Sequence, residues 1–155
     1  MDYTEIFEEY RGTVYRLALA RMKNKYDAQD VCSEVFLRLI KAKPTFESGE
    51  HTKAWLIRVT LNCCNSMWNS LWFKRRVSEA ENIGVVDLPE DYSQLLAAVH
   101  ALRKKYRVVI HLFYYEDMSV KDIAKVLKIK EQTVTSQLCR ARKMLKECLN
   151  YEEIQ

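Results

Sequence analysis

Residues 119–145 read SVKDIAKVLKIKEQTVTSQLCRARKML, and the spacing inside them decides how the rest of the chain is organised. Ser119 offers a hydroxyl to cap a helix, and Ile123, Ala124 and Leu127 follow at the intervals of one buried stripe. Ala124 is small where two crossing helices must approach closely, a turn falls at Lys128, and a second helix opens near Glu131. In that second helix Val134, Leu138, Ala141 and Leu145 recur at steps of four, three and four, so they form an inward seam. The outward face is then Gln132, Ser136, Cys139, Arg140 and Lys143, with Thr133 and Thr135 on its flanks. Early hydrogen-bonding groups suit base edges, and the later cations Arg140, Arg142 and Lys143 suit phosphates. A solvated amphipathic helix with no ligand would carry the same pattern, so this stretch alone leaves both readings open.

Composition narrows the class. Three Gly and two Pro in 155 residues, beside 48% hydrophobic residues with helical spacing, favour an all-α protein over a many-stranded sheet. Five cysteines (Cys32, Cys63, Cys64, Cys139 and Cys148) form no disulfide framework, and no leader segment precedes them, so free thiols in a reducing cytoplasm are expected. No apolar run approaches the roughly 20 residues of a bilayer span, which argues against membrane insertion. The net charge of +4 is unevenly spread. Residues 1–50 hold eight bases and nine acids, residues 51–78 five bases and no acid, residues 79–91 five acids and no base, and residues 92–150 twelve bases against five acids. Two cationic blocks separated by an acidic connector suit two contacts with a polyanion.

Upstream, a first helix is expected over about Thr4 to Lys23, with Ile6, Tyr10, Val14, Leu17 and Ala18 inward. Asp27 is placed to cap a second helix, DAQDVCSEVFLRLIKA, which stops before Pro44; Ala28, Val31, Cys32, Val35, Phe36 and Leu39 form its stripe, and Asp27, Asp30, Glu34 and Arg38 lie outside it. A third helix, about His51 to Arg76, has Ala54, Ile57, Leu61, Cys64, Trp68 and Leu71 as its expected seam, with Arg58, Asn62, Asn65, Asn69 and Arg76 along another side. Trp55, Trp68, Trp72 and Phe73 sit among its cations, where aromatic rings either pack or stack on unpaired bases. Residues 77–90 read as a flexible acidic linker. Pro89 and Asp91 then start a helix running to Leu102, and Tyr106, Val109, Ile110, Phe113 and Tyr114 mark a further one leading into the helix-turn-helix.

Three blocks in this order resemble the bacterial RNA polymerase sigma factors of the small extracytoplasmic-function type: DAQDVCSEVFLRL, AWLIRVTLN and YRVVIHLFYYEDMSVKDIAKVLKIKEQTVTSQLCRAR. The resemblance implies two small helical domains, a region 2-like domain at 1–76 and a region 4-like helix-turn-helix domain at 91–150, joined by the linker. It assigns Asp27, Asp30, Glu34 and Phe36 to polymerase docking. It places Trp55, Arg58, Asn62, Lys74, Arg75 and Arg76 at the minus-ten promoter element, and Gln132, Thr133, Thr135, Ser136, Cys139, Arg140 and Lys143 at the minus-thirty-five element. Core RNA polymerase and promoter DNA are the implied partners, and the resemblance permits an anti-sigma protein. Thr135 and Gln137 stand where relatives often have basic residues, Asn69 where a basic residue is usual, Ser33 where Gln is common, and Lys128 where Gly is frequent.

On this reading the chain is a transcription initiation factor that opens DNA without catalysis. The alternative is a free-standing helix-turn-helix regulator binding an operator without polymerase. An enzyme is disfavoured: His51, His100 and His111 are scattered, and the adjacent Cys63 and Cys64 lack further ligands, so neither a catalytic site, a metal nor a cofactor is expected.

Overall fold

The computed structural model describes residues 2–22, 24–70 and 93–153, and among these every regular element is helical. The chain divides into two compact units, Met1–Val86 and Asp87–Gln155.

The first unit packs three helices: α1 (Tyr3–Met22), α2 (Lys25–Ala42) and α3 (Gly49–Asn69). Ile6, Tyr10, Val14, Leu17 and Ala18 of α1 are buried, as their spacing predicts. So are Ala28, Val31, Val35, Phe36 and Leu39 of α2, with Cys32 half-buried beside them. Asn24, rather than Asp27, caps α2: its side chain accepts from the Tyr26 and Asp27 N–H groups at 2.9 and 3.1 Å. Asp27 lies in the first turn and accepts from Asn24 Nδ2 at 2.9 Å, so cap and carboxylate hold each other. At the far end Lys43 takes a left-handed conformation (φ 48°), its N–H donating to Leu39 O, and Pro44 forbids continuation.

The α3 seam differs from the one its hydropathy suggests. Thr52, Leu56, Ile57, Thr60, Cys63 and Cys64 are buried, while Ala54, Leu61 and Trp68 are only half-buried; Leu71 lies outside the described residues. The two threonines explain the rotation. Thr60 Oγ1 donates to Leu56 O at 2.6 Å and Thr52 Oγ1 to Ser48 O at 3.0 Å, so each hydroxyl is satisfied on its own helix and the residue buries like an apolar one. The helix also begins earlier than His51, at Gly49, because Ser48 accepts from the His51 N–H at 3.1 Å.

In the second unit α4 (Ser93–Ala101), α5 (Lys104–Ile110) and α6 (Val120–Leu127) all pack on the long α7 (Glu131–Glu153). Val99, Leu102, Tyr106, Val109, Leu112, Ile123, Val134, Leu138 and Ala141 are among its buried apolar residues. Arg107, 4% exposed, donates to the Leu102 and His100 carbonyls at 2.9 and 3.3 Å, a cation at the end of α4. α5 continues into one π-helical turn, His111–Tyr115, closed by Glu116 N–H to His111 O at 3.2 Å. That wider turn breaks the 3.6-residue register, so His111 and Leu112 point inward and Tyr114 is 52% exposed, contrary to the inward placement its spacing suggests; Phe113 is half-buried.

Candidate nucleic-acid and partner interfaces

The helix-turn-helix is built as its sequence predicts. Ser119 Oγ accepts from the Asp122 N–H at 3.1 Å and starts α6. Lys128 ends it at φ 58°, ψ 44°, and the Ile129 N–H returns to Ala124 O at 3.1 Å. This is a Schellman closure with lysine where glycine is the usual residue. With Val134, Leu138 and Ala141 at 2% exposure or less and Leu145 half-buried, the opposite face of α7 is fixed. Gln132, Thr133, Thr135, Ser136, Cys139, Arg140 and Lys143 are all exposed on it or its flanks. Thr135 Oγ1 is engaged with Glu131 O at 3.1 Å. Arg142 is exposed and also has contacts within the fold: its Nε donates to Tyr114 Oη at 2.7 Å, and its guanidinium lies 5.3 Å from the Phe113 ring centre and 5.6 Å from that of Tyr114. Arg142 therefore ties α7 to the π-helical turn.

In the first unit a second polar face stands on α3. Arg58, Asn62, Asn65 and Asn69 follow at steps of four, three and four, diametrically opposite the buried seam. Asn62, Asn65 and Asn69 are exposed, and Arg58 is half-buried with its Nε shielded and without a hydrogen-bond partner among the described residues. Trp55, half-buried one turn before Arg58, packs edge-on against Phe46 at 5.8 Å, and Phe46 in turn meets His51 at 5.3 Å. Trp68 supports the core, its Nε1 donating to Arg21 O at 3.4 Å. Lys74, Arg75 and Arg76, with Trp72, Phe73 and residues 77–90, where a linker is expected, lie outside the described residues.

The four expected docking residues on α2 separate into two pairs. Asp30 and Glu34 are exposed, the latter paired with Arg38 at 3.1 Å on the surface, a contact worth under about 1 kcal/mol. Asp27 is 1% and Phe36 7% exposed, so their side chains are structural: Asp27 belongs to the cap, and Phe36 meets the Phe7 ring edge-on at 4.9 Å. Sequence reasoning missed Leu37 and Ile40, which are 49% and 54% exposed on the same outer side as Asp30. Two bulky apolar residues off the stripe of an otherwise polar face were the available signal. Beside them a groove of about 440 Å³ runs between α1 and α2, lined by Phe7, Arg11, Tyr15, Cys32 and Phe36 among others. Arg21 was also missed. It falls in the register of Val14 and Ala18 and is 3% exposed, its Nη2 donating to Asn65 Oδ1. Burial lowers its pKa.

Burial pushes the Cys32 thiol up to about 11 and the Cys64 thiol to about 12, so both are held protonated at neutral pH. Cys139 and Cys148 are exposed, and all five cysteines are free. No described helix is long and apolar enough to cross a membrane, and no described group of His, Cys, Asp or Glu is arranged to hold a metal ion.

Two helical units, the second presenting the outer helix of a helix-turn-helix, define a two-unit all-α architecture. The model of the Sigma-70 region 2 family matches residues 6–73 and that of Sigma-70, region 4 matches residues 92–145. The chain belongs to the sigma-70 family of RNA polymerase sigma factors, in its extracytoplasmic-function group. Sigma factors are transcription initiation factors rather than enzymes. Similar proteins include the sigma factor SigE of Mycolicibacterium smegmatis, 27% identical over 96% of this chain and 62% of that protein. SigM of Bacillus subtilis is 26% identical over 97% of this chain and 96% of its own length. The chain thus spans about three-fifths of SigE and of the Streptomyces coelicolor factor BldN, but nearly all of SigM. Among solved structures, the sigma factor RpoE, co-crystallised with the anti-sigma factor NepR from Bartonella quintana, matches with a TM-score of 0.78 at 20% identity over 96% of this chain and 97% of that one. CnrH, solved with the cytosolic domain of CnrY, matches with a TM-score of 0.70 at 20% identity over 96% and 88%. Both likenesses concern the fold.

Proposed function

We propose that this protein binds core RNA polymerase through its first unit, directs it to promoters, and helps open the DNA there without chemical catalysis. The region 2-like part is 1–76, the linker 77–90 and the region 4-like part 91–150. On α2 the docking surface is Asp30 and Glu34 together with Leu37 and Ile40, an acidic and apolar face in which Asp27 and Phe36 act from beneath by fixing the helix. Trp55, Arg58, Asn62 and the Lys74, Arg75, Arg76 cluster handle the minus-ten element. Gln132, Thr133, Thr135, Ser136, Cys139, Arg140 and Lys143 read the minus-thirty-five element as duplex, polar residues toward bases and cations toward phosphates. Opening then draws on contacts made only with unpaired bases, so it needs no reacting group. The anti-sigma factor bound to RpoE and the CnrY domain bound to CnrH extend the proposal to a protein that covers this chain when transcription is off, and its place of work is the cytoplasm.

The observation that carries this reading is the order of two outward faces on two units: an arginine-and-amide stripe opposite the α3 core, then a polar-to-basic face on α7. Pure protein added to core polymerase should give initiation at discrete sites on genomic templates. Absence of any initiation, or a dimer holding a palindromic operator without polymerase, would overturn it.

A further inference from the structure

We propose that Asn65 is a specificity-determining contact of the α3 face, its amide N–H₂ turned outward by the buried Arg21 so that it reads a hydrogen-bond acceptor on the strand lying along that face. This rests on the minus-ten role proposed above for α3, and it gives a particular part to Asn65, which the sequence placed only in the polar row of that helix.

A guanidinium carries five N–H donors and no acceptor, whereas an asparagine amide carries one end of each kind. Arg21 Nη2 donates to Asn65 Oδ1, so the amide has one allowed orientation; reversing it would set donor against donor beside a buried cation. Arg21 is 3% exposed and its Nη1 has no hydrogen-bond partner among the described residues, so Asn65 supplies the carbonyl that a desolvated charge requires. Arg21 is itself held: Trp68 Nε1 donates to its carbonyl at 3.4 Å, which ties the end of α1 to the last turns of α3.

The outward end of Asn65 is therefore a fixed donor. The residue is exposed and lies in line with Arg58, Asn62 and Asn69. Asn62 and Asn69 are exposed amides with no comparable anchor among the described residues, so either end of each can face outward. A pre-oriented donor loses no rotational freedom on binding and rejects a base that presents another donor, while a freely turning amide accepts both. Asn65 is the one position of the stripe that discriminates by this means.

Asn65→Asp separates the two roles of the residue. It keeps the shape and gives Arg21 a charged acceptor, but removes the outward donor. Holoenzyme assembled with Asn65→Asp should keep or raise the melting temperature of the protein and assemble normally. Its retention of a random-sequence single-stranded DNA 20-mer pool should fall about tenfold, and the sequence it selects should change at one position. Asn65→Ala should lower the melting temperature by leaving Arg21 without its carbonyl. Asn69→Asp adds the same charge one turn along and serves as the control for plain repulsion. If Asn65→Asp selects the same sequence as the wild type, or loses affinity uniformly as Asn69→Asp does, the fixed-donor role is wrong and Asn65 serves only the fold. If wild-type holoenzyme retains no single strand at all, the minus-ten role of α3 fails, and this inference with it.

Discussion

The outward faces of α3 and α7 present similar chemistry, hydrogen-bonding side chains in company with arginine, yet they are held up differently. On α7 the face follows from the seam alone: with Val134, Leu138 and Ala141 buried, helical geometry carries Gln132, Ser136, Cys139, Arg140 and Lys143 outward without further help. On α3 the face leans on another helix, because Arg21 from α1 reaches Asn65 beneath the surface. The first kind of site survives any change that spares the core. The second is sensitive to a residue that never meets a ligand.

The largest test breaks the core under each face separately. Leu138 is 2% exposed beneath the α7 face and Leu56 is fully buried beneath the α3 face. Either change to Ala should cost about 2–5 kcal/mol, read by hydrogen exchange as protection lost within its own unit, 2–70 for Leu56 and 93–153 for Leu138. Loss spread equally over both units by either variant would show that the two faces do not have separate foundations.

Next in size is a lateral support of α7, the Arg142 contact with the π-helical turn. Arg142→Ala removes the 2.7 Å hydrogen bond to Tyr114 and the ring contacts with Phe113 and Tyr114, and should cost about 1–2 kcal/mol in denaturant unfolding. Tyr114→Phe, which deletes the hydroxyl only, should cost about half of that. If Arg142→Ala weakens binding to minus-thirty-five duplex while leaving the melting curve unmoved, Arg142 contacts phosphate directly and the clamp is incidental.

These two faces also mark where the sequence was legible. Stripes in α1, α2 and α7 were readable because apolar side chains make up most of them, and the cap at Ser119 and the turn at Lys128 were readable because turn chemistry is local. The α3 seam was misplaced because Thr52 and Thr60 hide their hydroxyls on their own helix and so bury against their hydropathy. Asp27 was misread as a surface acid because a carboxylate in the first helical turn serves the cap as readily as a partner. Tyr114 was misplaced because a single π-helical turn shifts the register, and no composition signal announces such a turn. The Arg21–Asn65 pair joins residues 44 positions apart, beyond the reach of any local pattern. Legibility thus ended where a polar group was satisfied from within the fold.

A third test uses the thiols beneath the α3 face. Burial holds Cys64 protonated up to about 12, whereas the same thiol in an unfolded chain ionises near its ordinary value of 9.0. The folded form then binds the extra proton, so this stability is present below pH 9 and is lost as pH climbs from 9 toward 12, by about 1.4 kcal/mol per pH unit for such a group. Cys64→Ser should flatten the alkaline limb, and the loss of hydrogen-exchange protection with rising pH should fall on residues 2–70. An alkaline loss that instead starts in residues 93–153 would place the sensitive group elsewhere.

The smallest effect concerns the turn that sets the α7 face in place. Lys128 sits at φ 58° and Lys43, at the end of α2, at φ 48°, both in the left-handed region that a side chain resists. Glycine at either position should relieve this and stabilise by roughly 0.5–1 kcal/mol, since the gain from removing the Cβ is partly offset by the greater freedom of an unfolded glycine. The two should differ in detail. After Lys43 comes Pro44, which restricts the unfolded chain and directs its exit, so Lys43→Gly is the more damped of the pair. After Lys128 comes Ile129, whose N–H closes on Ala124 O, so Lys128→Gly should strengthen the turn without shifting the closure. A melting temperature that falls with Lys128→Gly would mean that the lysine side chain, and not the backbone it strains, holds α6 and α7 at their angle.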